Sequence, residues 1–271
     1  MKLLIKTLPL LFTFILLVGA CKNPIEPFIE TSFTLNDEKN LGQQMHQAIL
    51  NTGVFDILAA TDYPDAIQYV NSVKVQLLGT NYMERRESYD WNIHIIHNDN
   101  IVDCFTTIGG QIYIYTGMLK SLQNEAQLMG ILAHEVSYAD KGYHMKIIDD
   151  NYAFNVLLEV SYGGEDQKAL SMLYLFYNEA RNADKAIEAD QYGMSILCLT
   201  NADASEMGVA IEDAYLANNL WYQRHPHPTG TTFEDTREPF FLKTAEDITC
   251  GGTDKGFIRY GTFRDNYLPT N

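Results

Sequence analysis

The chain has 271 residues, 46% of them hydrophobic, enough to bury a substantial core in one domain or at most two. Its 35 acidic residues against 19 basic ones give a formal charge of −16, which excludes a phosphate-backbone ligand, so nucleic acid is not an expected partner. The same charge is repelled by anionic lipid, so any membrane attachment must come from something other than a basic face.

Residues 1 to 20 read as a lipoprotein signal peptide. Lys2 and Lys6 form a positive start, and the apolar run from Leu8 to Val18 is too short to span a bilayer. It ends in Val18-Gly19-Ala20-Cys21, which resembles a bacterial lipobox and makes Cys21 the expected lipidation site and membrane anchor. The protein is then expected to be exported and lipid-anchored to the bacterial cell envelope, facing the periplasm or the outside. Residues 21–34, with Pro24 and Pro27, read as a tether, and 35–271 as the folded domain. An exported location permits disulfides, and with Cys21 modified at most one pair can form among Cys104, Cys198 and Cys250.

Asn36 is placed to cap a first helix with apolar positions at Leu41, Met45 and Ile49, and Pro64 suits the first turn of a second. Three short strands follow, at Trp91 to His97, Ile101 to Thr107 and, after Gly109-Gly110, Gln111 to Tyr115. Asn124 caps a helix whose stripe of Leu128, Ile131 and Leu132 continues to Glu135 and Ala139, placing an ionisable group among apolar neighbours. Further helices are predicted at Asn151 to Ser161, Gln167 to Asn178, Asp184 to Leu199 and Asp203 to Asn219. Beyond His225 the pattern assigns no element.

The segment Gly130-Ile-Leu-Ala-His134-Glu135-Val-Ser-Tyr138 differs at one position from the HExxH zinc motif. That motif works because histidines at i and i+4 lie about 40° apart around a helix and reach one zinc, while the intervening Glu is general base for its water. Here the second histidine is Tyr138.

The run from Asp103 through Thr107-Ile-Gly109-Gly110-Gln111-Ile112-Tyr113 to Lys120, followed by Asn124-Glu125-Ala126 to His134-Glu135, resembles metallopeptidase family forty-eight, a gluzincin family, and most closely its small bacterial lipoproteins. The resemblance implies an α+β, mostly helical gluzincin-type domain with a small sheet packed on the motif helix. The family's third ligand opens an ExxAD pattern. Aligned on Glu188-Ala189-Asp190, that position is Ala186, so His134 is the only surviving ligand, with Tyr138 and Ala186 at the lost positions. Asp190 then stands where the family carries a partner for a zinc histidine. Glu188 lies about 200° around the helix from position 186 and points away unless the helix is irregular, and His144, about 15 Å along a continuous helix from His134, is brought back only by a sharp break near Gly142.

By the same resemblance Gln111 to Tyr115, with Gly109 and Gly110, is an edge strand forming a substrate groove, and His225 or His227 of His225-Pro226-His227-Pro228 has a role near the substrate. His94 and His97 read as structural. Glu135, without zinc beside it, is expected to be protonated or hydrogen-bonded, by Tyr138 or His134.

The expected function is that of a zinc-metallopeptidase-like envelope lipoprotein, a catalytically inactive pseudopeptidase that keeps a peptide-binding groove. Its expected partners are unfolded or extended protein segments or envelope proteins, and no cofactor is expected. Two alternatives stay open: an active zinc metalloendopeptidase with non-standard ligands, with zinc as cofactor and Glu135 as base, and a purely structural envelope lipoprotein.

Overall fold

The computed structural model describes residues 34–163, 166–178, 182–231, 233–237, 241 and 250–270. The signal segment, Cys21 and the tether up to residue 33 lie outside the described residues. Helix α1, Leu35–Thr52, starts one cap earlier than the sequence suggests. Thr34 Oγ1 accepts from Asp37 N at 3.2 Å, while Thr34 N donates to Asp37 Oδ2 at 3.1 Å. This reciprocal capping box satisfies two amides, and Asn36 falls inside the first turn. Helix α2, Pro64–Leu78, does begin on its proline.

The strands are β1 (Asn92–Ile96), β2 (Cys104–Thr106) and β3 (Gln111–Tyr115), in the order β1-β3-β2. Strand β3 pairs parallel with β1, Ile93 opposite Ile112, and antiparallel with β2, Phe105 opposite Tyr113. This corrects the expectation of a groove: β3 is the central strand. Its hydrogen-bonding edges are used on both sides, its five residues are buried, and Gly109 and Gly110 are buried in the turn that leads into it. An extended peptide has no free edge of β3 to join.

The sheet separates two apolar clusters by its two-residue period. Ile93, Ile95, Cys104, Ile112 and Ile114 face a core shared with α2 and the motif helix; Ile96, Phe105, Tyr113 and Tyr115 face a second core with α1. After β3 come α3 (Thr116–Ser121), α4 (Glu125–Asp140), α5 (Tyr143–Asn151), α6 (Phe154–Ser161) and α7 (Asp166–Asn178). The helix predicted over Asn151 to Ser161 is α6, which starts only at Phe154 after extended Ala153; α5, which ends at Asn151, precedes it. Then follow α8 (Ala183–Leu197), α9 (Ser205–Leu216), α10 (Leu220–Arg224), α11 (Phe233–Thr236) and α12 (Phe257–Asn266), the last three without a clear sequence signal.

Helix α4 is the centre of the domain and is buried at every position. Asn124 caps it, accepting from Gln127 N at 2.9 Å. Two glycines set how closely its neighbours approach. A Cβ on Gly130 would lie 2.7 Å from the Met207 Cα of α9, and one on Gly193 of α8 would lie 3.1 Å from the His134 nitrogen. Only bare backbone allows both crossings, and the second brings α8's acidic face onto His134. A Cys198–Cys250 disulfide ties the end of α8 to the segment before α12, while Cys104 lies buried in β2. Among the described residues no helix is long and apolar enough to cross a membrane.

Candidate active site

Four elements converge on one turn of α4. Helix α8 supplies Asp190, whose Oδ1 accepts from His134 Nδ1 at 2.7 Å. Arg237 at the end of α11 grips the same carboxylate with Nε to Oδ2 at 2.7 Å and Nη2 to Oδ1 at 2.8 Å, and gives Nη1 to the His225 carbonyl at 2.8 Å. His134, Asp190 and Arg237 are fully buried. Burial alone would raise the Asp190 carboxyl, but the Arg237 charge and the His134 hydrogen bond outweigh it and hold Asp190 below the usual carboxylate range. Burial also holds His134 below its ordinary value, although Asp190 pulls the other way. The neutral ring therefore carries its proton on Nδ1, fixed by the carboxylate.

On the opposite side of the motif, α10 is docked on β2. The Trp221 amide donates to the Val102 carbonyl at 3.2 Å, and Arg224 Nη2 bonds Asp103 Oδ1 at 2.7 Å and the Cys104 carbonyl at 2.8 Å. This docking sets Trp221 and His225 over Glu135. The indole Nε1 donates to Glu135 Oε1 at 2.9 Å, Thr106 Oγ1 of β2 donates to Oε2 at 3.3 Å, and His225 Nε2 lies 3.2 Å from Oε1. The sequence predicts a hydrogen-bonded Glu135; the donors come from β2 and α10, and His134 turns its proton to Asp190 instead.

The family's zinc set does not fit this site. Tyr138 stands at the second histidine position, one turn beyond His134, its ring packed at 5.4 Å against Tyr143 and 5.7 Å against His144. Ala186 is fully buried and offers no donor atom. Glu188 points elsewhere, bonded to Lys185 at 3.0 Å and to the Tyr143 hydroxyl. Of the positions singled out in sequence, the structure unites His134, Glu135, Asp190 and His225, with the Tyr138 ring beside them at 5.3 Å from His134 and 5.6 Å from His225.

His225 is fully buried, its Nδ1 lies 2.6 Å from the Trp221 carbonyl, and its Nε2 faces Glu135. His227 is half-buried with Nδ1 at 2.6 Å from the Tyr222 hydroxyl. His94 bonds Gln111 and His97 pairs with Asp56, away from the site. Trp221, Arg237 and Thr106 are the residues that sequence reasoning misses. Each acts through a contact between distant segments, and the one local hint is the position of Trp221 four residues before His225.

A motif glutamate on a buried helix, a histidine oriented by a carboxylate on a second helix, and a small sheet beside them define the metallopeptidase class of fold. A family model for peptidase family M48 matches residues 71–230, more than half of the sequence. The chain belongs to peptidase family M48. It is similar to the mitochondrial metalloendopeptidase OMA1 of Arabidopsis thaliana, 28% identical over 120 residues that make up 43% of this chain and 24% of that protein. Human mitochondrial metalloendopeptidase OMA1 is 23% identical over 186 residues, 59% of this chain and 35% of that protein. The β-barrel assembly-enhancing protease of Escherichia coli K12 is 28% identical over 89 residues, 32% of this chain and 17% of that protein. The matches thus span about a third or less of each of these relatives' length.

Proposed function

We propose that the chain is a catalytically inactive M48-family lipoprotein that acts in the bacterial envelope by binding partner proteins, not by cutting them. One observation carries this reading: among the described residues the site has too few donors for hydrolysis. Peptide hydrolysis at a gluzincin centre needs three protein ligands and, in addition, a carboxylate free to take a proton from the bound water. With Tyr138 and Ala186 at two ligand positions, the donors that converge are His134, Glu135 and His225. If Glu135 stays the base, two ligands remain; if it becomes a ligand, no base remains. Glu135 is also held by Trp221 and Thr106, which fixes it against β2 and α10.

The test is unfolded casein incubated with the purified protein, with and without chelator. No cleavage is expected; chelator-sensitive cleavage lost in Glu135→Gln would overturn the reading. The convergence of three donor side chains favours one second reading, an active endopeptidase with rearranged ligands, and the cleavage assay decides between them.

The envelope location rests on the lipobox-like Val18-Gly19-Ala20-Cys21 and on the Cys198–Cys250 disulfide, a bond that suits an oxidising compartment. Labelled fatty acid should enter the protein in bacteria and be lost in Cys21→Ala. Labelling that persists in the variant would refute lipidation at that residue.

A further inference from the structure

Helix α4 gives the domain two ends. Its last residue, Asp140, accepts from the Arg85 amide at 2.7 Å, and Arg85 Nε reaches Glu38 in the first turn of α1 at 3.3 Å. Its first residue, Glu125, accepts from Arg259 of α12 at 2.8 Å. With 16 residues in α4, the start of α1 and the start of α12 are therefore about 24 Å apart along its axis.

Both ends expose apolar side chains, and the two sets differ in kind. At the α12 end Phe257 and Ile258 project side by side, 54% and 87% exposed. At the α1 end the exposed groups are amphipathic. Tyr162 is 63% exposed, yet its hydroxyl donates to Asp37 Oδ1 at 2.7 Å. Tyr192 of α8 donates to Asp140 Oδ2 at 2.6 Å, and its ring meets that of exposed Tyr82 at 4.9 Å. Leu35 adds an exposed aliphatic group beside Asp37, and Lys141 holds its Nζ 4.3 Å from the centre of the Tyr192 ring. Tyrosine rings with fixed hydroxyls, an aliphatic side chain and a lysine suit a membrane–water boundary, where the apolar part enters the headgroup layer and the polar tip stays wet. The carboxylates nearby have cations of their own: Glu84 lies 3.6 Å from Lys141 and Asp90 2.9 Å from Lys39.

We infer that this rim of Leu35, Tyr82, Tyr162 and Tyr192 is the face on which the domain rests against a zwitterionic lipid surface. Cys21 and Thr34 are 13 positions apart, so a lipid on Cys21 keeps the start of α1 within about 45 Å of the bilayer. The tether limits the distance, and the rim selects the face. Side chains that enter about 5–10 Å into the headgroup and acyl boundary give the rim its hold, while Ile258 at the other end stays clear of lipid. The formal charge of −16 makes neutral headgroups the fit, because an anionic surface would repel the body of the domain. His134 and Glu135, less than two turns before Asp140, are then held near the lipid plane, where the partners within reach are proteins at the membrane surface. This orientation rests on the lipid-anchored reading above.

The experiment uses the full lipidated chain in phosphatidylcholine vesicles, with and without bromine on the acyl chains, which quenches tryptophan on contact. Trp91 and Trp221 are buried, so the parent protein supplies a low baseline. Loss of emission above that baseline is expected in Tyr162→Trp and in Tyr82→Trp, and none in Ile258→Trp. The loss in Tyr82→Trp should disappear when Leu35→Asp and Tyr162→Asp are added, which separates contact through the rim from mere nearness to the anchor. Quenching in Ile258→Trp, baseline emission in Tyr162→Trp, or quenching in Tyr82→Trp that survives the two aspartates would each overturn the orientation and leave the anchor standing. A chain that the vesicles do not retain on sedimentation would overturn the anchor and the orientation together.

Discussion

Replacing Asp190 by Asn should be among the most damaging single changes in the domain. Asp190 accepts two hydrogen bonds from Arg237 and one from His134, and all three side chains are fully buried. The amide keeps the shape but removes the charge and turns a donor toward donors, leaving the Arg237 guanidinium buried without its counter-ion. Breaking a buried pair in this way costs about 3–5 kcal/mol. For a chain of this size that is roughly 6–20 °C in Tm. Because Arg237 also holds the His225 carbonyl, the loss should loosen the segment carrying α10 and α11 before α4 unfolds. Urea unfolding followed by far-ultraviolet circular dichroism measures the total, and a double-mutant cycle with Arg237→Met isolates the coupling. The double variant should be more stable than the sum of the two single losses by about 2 kcal/mol or more, since it buries no unpaired charge. A cost below about 1 kcal/mol for Asp190→Asn, or simple additivity in the cycle, would refute the network as the lock between α4, α8 and α11.

The His94 ring stacks on His46 of α1 at 4.0 Å and bonds Gln111 at 2.8 Å; burial first, then His46 and Lys74, push its pKa from 6.5 down to about 4. Since the fold favours the neutral ring, this stability is complete above pH 6.5 and lost as pH falls toward 4, by about 3 kcal/mol, and an unchanged pH profile in His94→Gln would contradict it. Gly130→Ala should cost about 1–3 kcal/mol through its clash with Met207, outweighing the roughly 1 kcal/mol gained in helix propensity, and calorimetry showing a stabilised protein would disprove the close crossing. Replacing Cys198 and Cys250 together by Ser releases a loop of sequence separation 52, which should lower stability by about 4 kcal/mol in the chain-entropy model; equal urea midpoints with and without reductant would rule the bond out.

The parts of the fold that sequence made legible are those written in local chemistry. Pro64 at a first turn, Asn124 before α4 and the alternating Gln111 to Tyr115 each carry their own signal within a few residues. The site was legible only as far as α4 and α8: the apolar stripe of α4 places Glu135 among buried neighbours, and the family resemblance marks His134 and Asp190. Strand order was not: β3 is central because β2 folds back along one side while β1 pairs on the other, and no residue in Gln111 to Tyr115 records which edges will be covered. Nor were Trp221 and Arg237. They reach Glu135 and Asp190 from 86 and 47 positions away, through the docking of short helices whose apolar pattern is too brief to read.

This division explains which zinc-site groups can be exchanged singly and which cannot. A ligand at position 138 or 186 would have the ion as its chief partner, so Tyr and Ala there take no hydrogen bond or ion pair away from another protein side chain. His134, Glu135 and Asp190 differ in kind. Each has protein partners, Asp190 and its guanidinium for the first, Trp221 and Thr106 for the second, His134 and Arg237 for the third. Removing any of them strands a buried donor or charge, at a cost that grows from about 1–3 kcal/mol for a neutral group to about 3–5 kcal/mol for an ionic one. Their presence is therefore accounted for by the fold and does not by itself argue for hydrolysis. What it supplies is a rigid pair of imidazoles and a carboxylate, oriented by the same partners that make them costly to lose.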